Sequence, residues 1–353
     1  EILQFQKNKE IQIQNNQNST KLDSNNLSNL FSYETNFVRL IYKLHKKPWR
    51  ILYFGFIPKK LRKKYNLIAD RSKQASVADA WEKMINLYQD NKIEHFQLKP
   101  KKTFLDQKII WQYWAQGVNH GQLPEIVNLC FKSVDKYCAD YKIIRLDDSN
   151  INDYLDLPDF VYLKKQNPEF KHAFFADLIR LALLDVYGGT WLDATIMLTS
   201  PIKENIANSD FFMFQRSSEA KNKRYWSEYN SDYFGWDSNH RINVLNSFIV
   251  GKKGNIVIHT CLDLLLNFWK TQNNIPHYFF FQILFDVLIN KYFSDQQSMI
   301  VDDTLPHLLQ SKANNFYDQT EFNKILSLIN IHKMTYIANS PQNSFYNYLK
   351  DNI

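Results

Sequence analysis

The feature that most constrains the fold is a strongly apolar segment that turns directly into a strand. Residues 173–184, AFFADLIRLALL, contain only two charges and belong to a predicted helix over 168–187. A helix that is apolar on nearly all sides is expected to be buried on nearly all sides. Gly188 and Gly189, two of only eight glycines in the chain, then end the helix where a left-handed cap favours glycine. The chain continues at once as a predicted strand over 190–196.

The same alternation of short strands and helices fills the chain from residue 105 onward. Such alternation with short links favours an α/β domain with a largely parallel sheet. We assign residues 105–353 to this domain, because a length of 353 residues suits one large α/β domain with an extension. Besides the helix and strand above, strands are predicted over 108–114, 141–146, 211–215 and 247–250, and helices over 126–136, 255–269 and 278–292.

Two segments of different composition precede this domain. Residues 1–34 form a lead-in rich in Asn and Gln, with twelve of them in the first thirty positions, and we expect it to be flexible. Residues 35–104 form a basic, aromatic and helical extension that includes an amphipathic helix over 75–90. Neither segment contains the run of about 20 apolar residues that a spanning helix needs. Any membrane contact of the extension is therefore expected to be peripheral.

The positive charge of the chain is concentrated in one part of the extension. Residues 41–75 contain eleven Lys and Arg and a single acidic residue, a net charge of +10, whereas the whole chain carries +7. The remainder is therefore slightly acidic at −3, which argues against a protein that binds nucleic acid. In residues 35–66 the basic side chains alternate with aromatic and aliphatic ones. This pattern fits contact with an anionic membrane surface, or a helical hairpin docked on the main domain with solvated Lys and Arg.

Three charged residues interrupt the apolar helix and the strand after it. Asp177 and Arg180 are three positions apart, so they share one face of the helix. Buried charges are costly unless they pair or face a polar ligand, and an internal ion pair is the simpler alternative. Asp193 lies near the end of the strand, where open α/β sheets bind their ligands. It is therefore a candidate ligand for Mg²⁺ or Mn²⁺, or a hydrogen-bond acceptor for a hydroxylated substrate.

Residues 171–196, KHAFFADLIRLALLDVYGGTWLDATI, resemble the core of bacterial capsular polysaccharide synthesis proteins. Those proteins are similar to glycosyltransferase family 32 and to sugar-transferring bacterial toxins, which share the GT-A nucleotide-sugar fold. The common pattern is a helix with Asp-Leu-Leu-Arg, a Gly-Gly turn and an aromatic strand that carries an Asp-x-Asp motif. Residues 110–114, IWQYW, resemble the first strand of that fold, and the likeness extends over residues 105–310. It implies an α/β, GT-A-like, Rossmann-like mixed sheet flanked by helices, preceded by the helical extension.

The resemblance also implies roles for individual residues. Asp177 and Arg180 match a helix pair that contacts the donor sugar and its phosphates. Asp193 matches the first aspartate of Asp-x-Asp, which makes these three the expected catalytic residues. Thr195 stands where the second aspartate is found, although Asp-Ala-Thr is common in the capsular proteins. The implied donor-binding residues are Trp111 and Gln112 near the nucleotide base, together with Asp177, Arg180, Gly188, Gly189, Asp193 and Thr195.

The cofactor implied by the resemblance is a divalent cation, Mn²⁺ or Mg²⁺. Asp193 and Thr195 are its expected ligands, although a hydroxyl is a poorer ligand than a carboxylate. Either His277 or His307 is expected to complete the metal shell, and the alternative for each histidine is a surface or capping role. Further candidates are Asn246 and Ser247, which precede a predicted strand, and the turn over 251–255, which is expected to border the acceptor cleft. The alternative for both is simple turn chemistry.

The implied activity is transfer of a sugar from a UDP- or GDP-linked donor to a glycan or lipid-linked glycan. This glycosyltransferase would act in capsular or surface polysaccharide synthesis and would retain the anomeric configuration. The alternative is a non-catalytic scaffold of a capsule-assembly complex, which Thr195 in place of an aspartate suggests. Three cysteines without CxxC spacing favour a reducing compartment. We therefore expect a cytoplasmic protein that is peripheral on the inner face of the bacterial cytoplasmic membrane.

Overall fold

The fold is built around two β-sheets. The computed structural model describes residues 27–104, 108–118, 123–296, 299–337 and 339–352. Within these residues the strands are β1 (Ile109–Tyr113), β2 (Lys142–Leu146), β3 (Gly189–Leu192), β4 (Ile196–Leu198), β5 (Phe211–Gln215), β6 (Val244–Gly251) and β7 (Ile331–Lys333). The main sheet has the order β2-β1-β3-β6-β5, and β4 pairs with β7 in a second, two-stranded sheet.

Helices cover both faces of the main sheet and form the N-terminal extension. The extension contains α1 (Asn36–Leu44), α2 (Trp49–Phe56) and α3 (Lys59–Gln89). The main domain contains α4 (Glu125–Tyr137), α5 (Asp159–Lys165), α6 (His172–Tyr187), α7 (Glu204–Ala207), α8 (Lys223–Tyr229), α9 (Ile256–Thr271), α10 (Phe280–Val287), α11 (Leu308–Lys312), α12 (Gln319–Leu328) and α13 (Phe345–Asn352). The expected α/β fold, with a mixed sheet flanked by helices and a helical N-terminal extension, is confirmed.

The main sheet is less parallel than the strand–helix alternation alone predicts. Strand β1 runs parallel to β2 and β3, but β6 runs antiparallel to both β3 and β5. The reason is the connection over residues 216–243, which leaves β5 and enters β6 at the same end of the sheet. A parallel pair would need a crossover to the opposite end. The connection therefore stays beside the carboxyl end of β3.

The predicted strand over 190–196 is wrong in one respect, because it is two strands that belong to different sheets. Strand β3 ends at Leu192, a turn follows in which the Ile196 N–H donates to the Asp193 carbonyl at 2.9 Å, and β4 begins at Ile196. The chain leaves the main sheet here because β4 pairs with β7, with Ile196 opposite Lys333. Asp193 consequently lies just beyond the carboxyl end of β3 and not within a strand.

The sheet separates two apolar layers, and successive residues of a strand contribute to opposite layers. Ile109, Trp111 and Tyr113 pack in the layer that contains α3, α6, α9 and α10, whereas Ile110 packs in the layer that contains α4 and the β4–β7 sheet. Helix α6 contributes eleven buried residues. The prediction that this helix is buried is confirmed.

Several helix boundaries differ from their predicted positions. Helix α6 begins at His172 and not at residue 168, because the chain turns at Phe170, whose N–H donates to the Asn167 carbonyl at 2.9 Å. The helix predicted over 278–292 begins at Phe280 as α10, and its last five residues form a wider π-helical turn. The helix predicted over 75–90 is the end of the 31-residue helix α3.

The extension docks on the main domain through the second half of α3. Trp81 is fully buried, and its Nε1–H donates to the carbonyl of Phe280 at 2.9 Å. Closer to the middle of α3, Asp70 pairs with His277 at 2.9 Å. Residues 1–26 of the predicted lead-in lie outside the described residues. No helix in the described part of the chain combines the length and the apolar character needed to cross a bilayer.

The junction between α6 and β3 depends on two glycines. Gly188 and Gly189 have φ values of +74° and +111°, which only glycine adopts without strain. A Cβ atom on Gly189 would lie 2.7 Å from the carbonyl oxygen of Ile109 in the neighbouring strand β1. The backbone of β3 therefore lies too close to β1 for any side chain at position 189. Helix α6 ends two residues earlier, at Tyr187.

We expect Gly189→Ala to lower the free energy of unfolding by about 2 kcal/mol or more, because it combines an unfavourable φ with a backbone clash. Urea unfolding measures the change. Gly55→Ala is the matched control, since Gly55 lies in α2 with open space around its Cβ position. Alanine there should stabilise by roughly 0.5–1 kcal/mol through helix propensity. Equal effects of the two substitutions would contradict the close approach of β3 to β1.

Candidate active site

A cavity of about 390 Å³ opens beside the carboxyl end of β3. Its floor carries charged and polar side chains from α6, from the turn after β3, and from β6 and β7. Its walls include aromatic side chains from the connection before β6 and from the two residues that precede α10. The polar lining comprises Asp177, Arg180, Asp193, Thr195, Asn230, Asn246, Ser247, Gln282, His307, Gln310, Lys333 and Thr335, and the aromatic lining comprises Phe174, Tyr229, Tyr233, Phe234, Tyr278, Phe279 and Tyr336.

The Arg180 guanidinium is the centre of the floor. Its Nη2 lies 3.2 Å from the Asp177 carboxylate and 3.3 Å from the Asp193 carboxylate, so one cation is shared by two anions. Its other nitrogens donate to the backbone carbonyls of Ala176, at 3.1 Å, and Asn246. The side chain is only 4% exposed, so this charge lies in a poorly solvated environment where it acts strongly on its neighbours.

Asp193 is held in place by its own strand and by β6. The Asp193 N–H donates to the Ser247 carbonyl at 2.8 Å, which extends the pairing of β3 with β6. The indole Nε1–H of Trp191 donates to Asp193 Oδ1 at 2.7 Å. The carboxylate is 22% exposed, more than the 9% of Asp177, so it is the anion of the pair that faces the cavity more openly.

The two carboxyl groups have opposite electrostatic character. Burial raises the pKa of Asp177 to about 7, and this effect outweighs the opposing attraction of Arg180. Burial also acts on Asp193, but Arg180 and then Lys333 more than compensate and hold its pKa at about 2. Asp193 is therefore an anion at neutral pH, whereas Asp177 exchanges a proton near pH 7. Asn246 Nδ2 donates to Asp177 Oδ1 at 2.8 Å and favours the ionised form.

The small β4–β7 sheet adds a second cation to the floor. Lys333 ends β7, opposite Ile196, and the Met334 N–H donates to the Thr195 carbonyl at 2.8 Å. This pairing places Lys333 Nζ 2.7 Å from Thr195 Oγ1 and 3.4 Å from Asp193 Oδ2. The Thr195 hydroxyl therefore accepts a hydrogen bond from a lysine.

His307 lines the cavity among aromatic rings. Its Nδ1 lies 2.8 Å from the carbonyl of Asp303, and because a carbonyl only accepts, Nδ1 carries the hydrogen and Nε2 a lone pair. The ring contacts Tyr233 and Phe234 with centroids 5.3 and 5.1 Å away. Burial lowers the pKa of His307 to about 4, so the imidazole is neutral at pH 7.

Five of the residues singled out from the sequence lie around this one cavity: Asp177, Arg180, Asp193, Thr195 and His307. Asn246, for which cleft and turn roles stayed open, also lines it and bonds to the floor. Gly188 and Gly189 form the turn that leads into β3 and thereby place Asp193.

Three further residues lie elsewhere. Trp111 is buried and donates its Nε1–H to the Gly188 carbonyl at 2.9 Å, and Gln112 is buried and accepts from Arg145 Nε at 3.0 Å. His277 is paired with Asp70 of α3 and accepts from the Phe279 N–H at 3.0 Å. These contacts give all three side chains structural partners outside the cavity lining.

Sequence reasoning missed Lys333 and the aromatic wall. Lys333 and Thr195 are 138 positions apart in the chain and meet only because β4 pairs with β7. A lone lysine in a three-residue strand carries no local signal. The tyrosines and phenylalanines of the connection over 216–243 are common residue types in this chain, which has 20 Tyr and 26 Phe. Their gathering at the cavity depends on the antiparallel return into β6.

The residues present do not fit the divalent cation expected on Asp193 and Thr195. Within the described residues, no group of three or more His, Cys, Asp or Glu side chains is arranged to hold a metal ion. Both oxygens of Asp193 already face cationic groups, and Thr195 Oγ1 accepts from Lys333. A divalent cation would have to displace that ammonium and would gain one carboxylate and one hydroxyl, a weak ligand set.

We expect Asp177 to make stability depend on pH between about 4 and about 7. The folded protein binds a proton at a pKa of about 7, whereas the unfolded chain binds it near 3.8, so the folded state holds more protons in this window. Stability from this group is therefore present at low pH and is lost as the pH rises, by at most about 1.4 kcal/mol per pH unit.

Asp177→Asn should remove this dependence. The free energy of unfolding of the variant, minus that of the unmodified protein, should therefore increase as the pH rises from about 4 to about 7. Urea unfolding across the pH range measures the difference. Asp193→Asn is the comparison. Because the Asp193 pKa is about 2 in the folded protein, the contribution of this group to stability changes with pH only below about 4. A pH-independent difference for Asp177→Asn would contradict a raised Asp177 pKa.

Comparisons with known proteins identify the family of the chain. Among solved structures, the chain is similar to "PaToxG Glycosyltransferase", with 15% identity, coverage of 74% of this chain and 85% of that chain, and a TM-score of 0.30. No curated protein matches the chain. A family model described as capsular polysaccharide synthesis protein matches residues 62–349, most of the chain, and this confirms the resemblance seen in residues 171–196. The chain therefore belongs to the capsular polysaccharide synthesis protein family.

Proposed function

We propose that the protein is a glycosyltransferase that moves a sugar from a nucleotide-diphosphate donor to a glycan acceptor during synthesis of a bacterial capsule or surface polysaccharide. The observation that carries the proposal is the Arg180 cation shared by Asp177 and Asp193 on the floor of an aromatic-walled cavity. Its position beyond the carboxyl end of a parallel-paired strand is where open α/β sheets bind ligands. The membership of the capsular polysaccharide synthesis family supports the same reaction class.

The cavity offers a suitable group for each part of such a donor. Charged groups of the floor suit a diphosphate, and the aromatic wall suits the flat faces of a base and the apolar faces of a sugar ring. Tyr278 is 61% exposed at this wall and is free to stack on a ring. We propose a UDP- or GDP-linked sugar as donor and a glycan or lipid-linked glycan as acceptor.

The ionised carboxylate of Asp193 has a specific use in sugar transfer. As the bond to the leaving diphosphate lengthens, positive charge develops on the anomeric carbon, and a fixed anion nearby stabilises that charge. Asp193 remains ionised because Arg180 and Lys333 hold its pKa low. We propose that Asp177 and Arg180 orient the donor and Asp193, and that the reaction retains the anomeric configuration.

We expect Asp193→Asn to lower turnover of the donor at least about a hundredfold, because one charged group that stabilises the transition state is lost. Hydrolysis or transfer is measured with a panel of UDP- and GDP-sugars. A matched control is Asp185→Asn, since Asp185 lies on α6, has a side chain that is only 9% exposed and pairs with His259 outside the cavity lining. The control should keep its turnover.

A thermal-unfolding panel with the same donors checks binding independently of turnover. A donor at a hundredfold excess over its dissociation constant raises the free energy of unfolding by about 2.7 kcal/mol. Failure of all donors to bind or turn over in folded protein would favour the alternative of a non-catalytic scaffold. In that case Asp193→Asn and Asp185→Asn would be equally without effect on function.

We also propose that the protein is cytoplasmic and that α1, α2 and the first half of α3 rest on the anionic inner face of the cytoplasmic membrane. In the described residues, twelve of the twenty-one large exposed apolar side chains fall between residues 33 and 68. Residues 35–69 contain no acidic residue. The exposed basic side chains around this patch are Arg39, Lys43, Lys46, Lys47, Arg50, Lys59, Lys60, Lys63 and Lys64. Apolar and basic groups together are what an anionic bilayer surface binds.

We expect replacement of both Ile51 and Phe56 by Ser to weaken binding to vesicles that contain phosphatidylserine at least about tenfold. The reason is that serine has much less apolar surface to bury in the bilayer than either residue it replaces. These residues are 72% and 78% exposed. Phe316→Ser is the matched control, since Phe316 is 77% exposed but belongs to the main domain and not to the extension. Vesicle co-sedimentation measures the partition, and equal loss in both variants would contradict a specific membrane face.

A further inference from the structure

We propose that the Lys333 ammonium neutralises the diphosphate of the donor, at the position beside Asp193 and Thr195 where the resemblance implies a divalent cation. This inference rests on the proposed function and adds a residue and a metal-independent mode of donor binding to it. The step itself is ordinary group transfer. The bond between the anomeric carbon and the phosphate oxygen breaks with its electron pair on the oxygen, the acceptor oxygen bonds to the anomeric carbon, and the acceptor proton is released with the nucleoside diphosphate.

The first argument is that Lys333 sits on the atoms that would bind the cation. Its Nζ lies 2.7 Å from Thr195 Oγ1 and 3.4 Å from Asp193 Oδ2. The other oxygen of Asp193 accepts from Trp191 and faces Arg180. Threonine in place of a carboxylate fits this arrangement, because a hydroxyl accepts from an ammonium without adding a third negative charge to the floor.

The second argument is that Lys333 retains capacity for a ligand. An ammonium has three N–H donors, and within the described residues two of them have partners, on Thr195 and Asp193. The side chain is 24% exposed and lines the cavity. Arg180 differs, since it is 4% exposed and its nitrogens are engaged by two carboxylates and two backbone carbonyls. Lys333 is therefore the more accessible of the two floor cations for a phosphate oxygen.

The third argument is that the backbone from which this ammonium extends is held firmly in place. Lys333 is the last residue of β7, paired opposite Ile196, and the next N–H is bonded to the Thr195 carbonyl. The two residues before it, Ile331 and His332, are buried. A charge that is already in place when the leaving group departs stabilises it without reorganisation.

Wild-type protein alone gives the first test. Calorimetry measures the affinity for UDP and for GDP in buffer with excess EDTA and again with excess Mn²⁺. We expect the affinity for the preferred nucleotide to change less than about threefold between the two conditions. Loss of about tenfold or more in EDTA, restored by Mn²⁺, would overturn the inference and would favour the divalent cation expected from the resemblance.

The second test compares Lys333→Met with Lys333→Arg. Removing the cation should weaken nucleoside diphosphate binding by about tenfold to about a hundredfold, the range for a charge-assisted hydrogen bond, and should leave binding of the uncharged nucleoside unchanged. Lys333→Arg should keep most of the diphosphate affinity. Lys312→Met is the matched control, because Lys312 is a partly exposed lysine paired with Glu321 at 2.9 Å and lies outside the cavity lining.

The outcomes separate this inference from the proposed function. If the wild type turns over a donor and Lys333→Met binds nucleoside diphosphates as tightly as the wild type, the inference alone is wrong. Lys333 is only a structural residue if Lys333→Met weakens the affinity for the nucleoside as much as the affinity for the diphosphate. The same conclusion follows if Lys333→Met is unfolded and Lys333→Arg also loses its affinity for the diphosphate. If the wild type neither binds UDP or GDP nor turns over any donor, the proposed function fails and the inference fails with it.

Discussion

The site depends on one guanidinium that two carboxylates share. Arg180 joins three elements, since it contacts Asp177 on α6, Asp193 after β3 and the Asn246 carbonyl at β6. Its almost complete burial makes each contact difficult to replace, because a buried charge that loses its partner costs several kcal/mol. Helix, turn and strand are therefore tied at one point, and the cavity opens directly beside it. The alternative of an ion pair that only satisfies itself describes Asp177 and Arg180 incompletely, since Asp193 is the third member.

The parts of the fold and site that the sequence predicted correctly are those encoded by neighbouring residues. The buried helix, the Gly188–Gly189 turn and the position of Asp193 follow from 20 or so consecutive residues, where spacing fixes which side chains share a face. Lys333 could not be predicted in this way, because it is 138 positions from Thr195, and the two strands that bring them together, β4 and β7, have only three residues each. The break of the strand at Asp193 has the same origin, since β7 draws the chain out of the main sheet.

Composition alone did not distinguish an extension that contacts a membrane from a helical hairpin docked on the main domain. Arg71 and Lys73 belong to the same basic segment as Lys63 and Lys64, yet the first pair is buried and bonded to Asp237 and Glu34 while the second pair is exposed. The difference lies in the acidic partners, Asp237 in the main domain and Glu34 in the segment before α1, which are distant in the chain. One helix, α3, thus serves both as part of the core and as part of the proposed membrane face.

The charges of the floor bear on how the site would hold the proposed dianionic donor beside two carboxylates. With both carboxyl groups ionised, Asp177 and Asp193 balance Arg180 and Lys333, which leaves no surplus positive charge for a diphosphate. The pKa of Asp177 near 7 changes this balance, because burial already brings its neutral form within reach at physiological pH. An arriving diphosphate favours that neutral form, since a like charge nearby raises a carboxyl pKa further. With Asp177 protonated, Arg180 would balance Asp193, and the charge of Lys333 would be available to the phosphate of the proposed donor. The burial of Asp177, costly for folding, thereby becomes useful for binding.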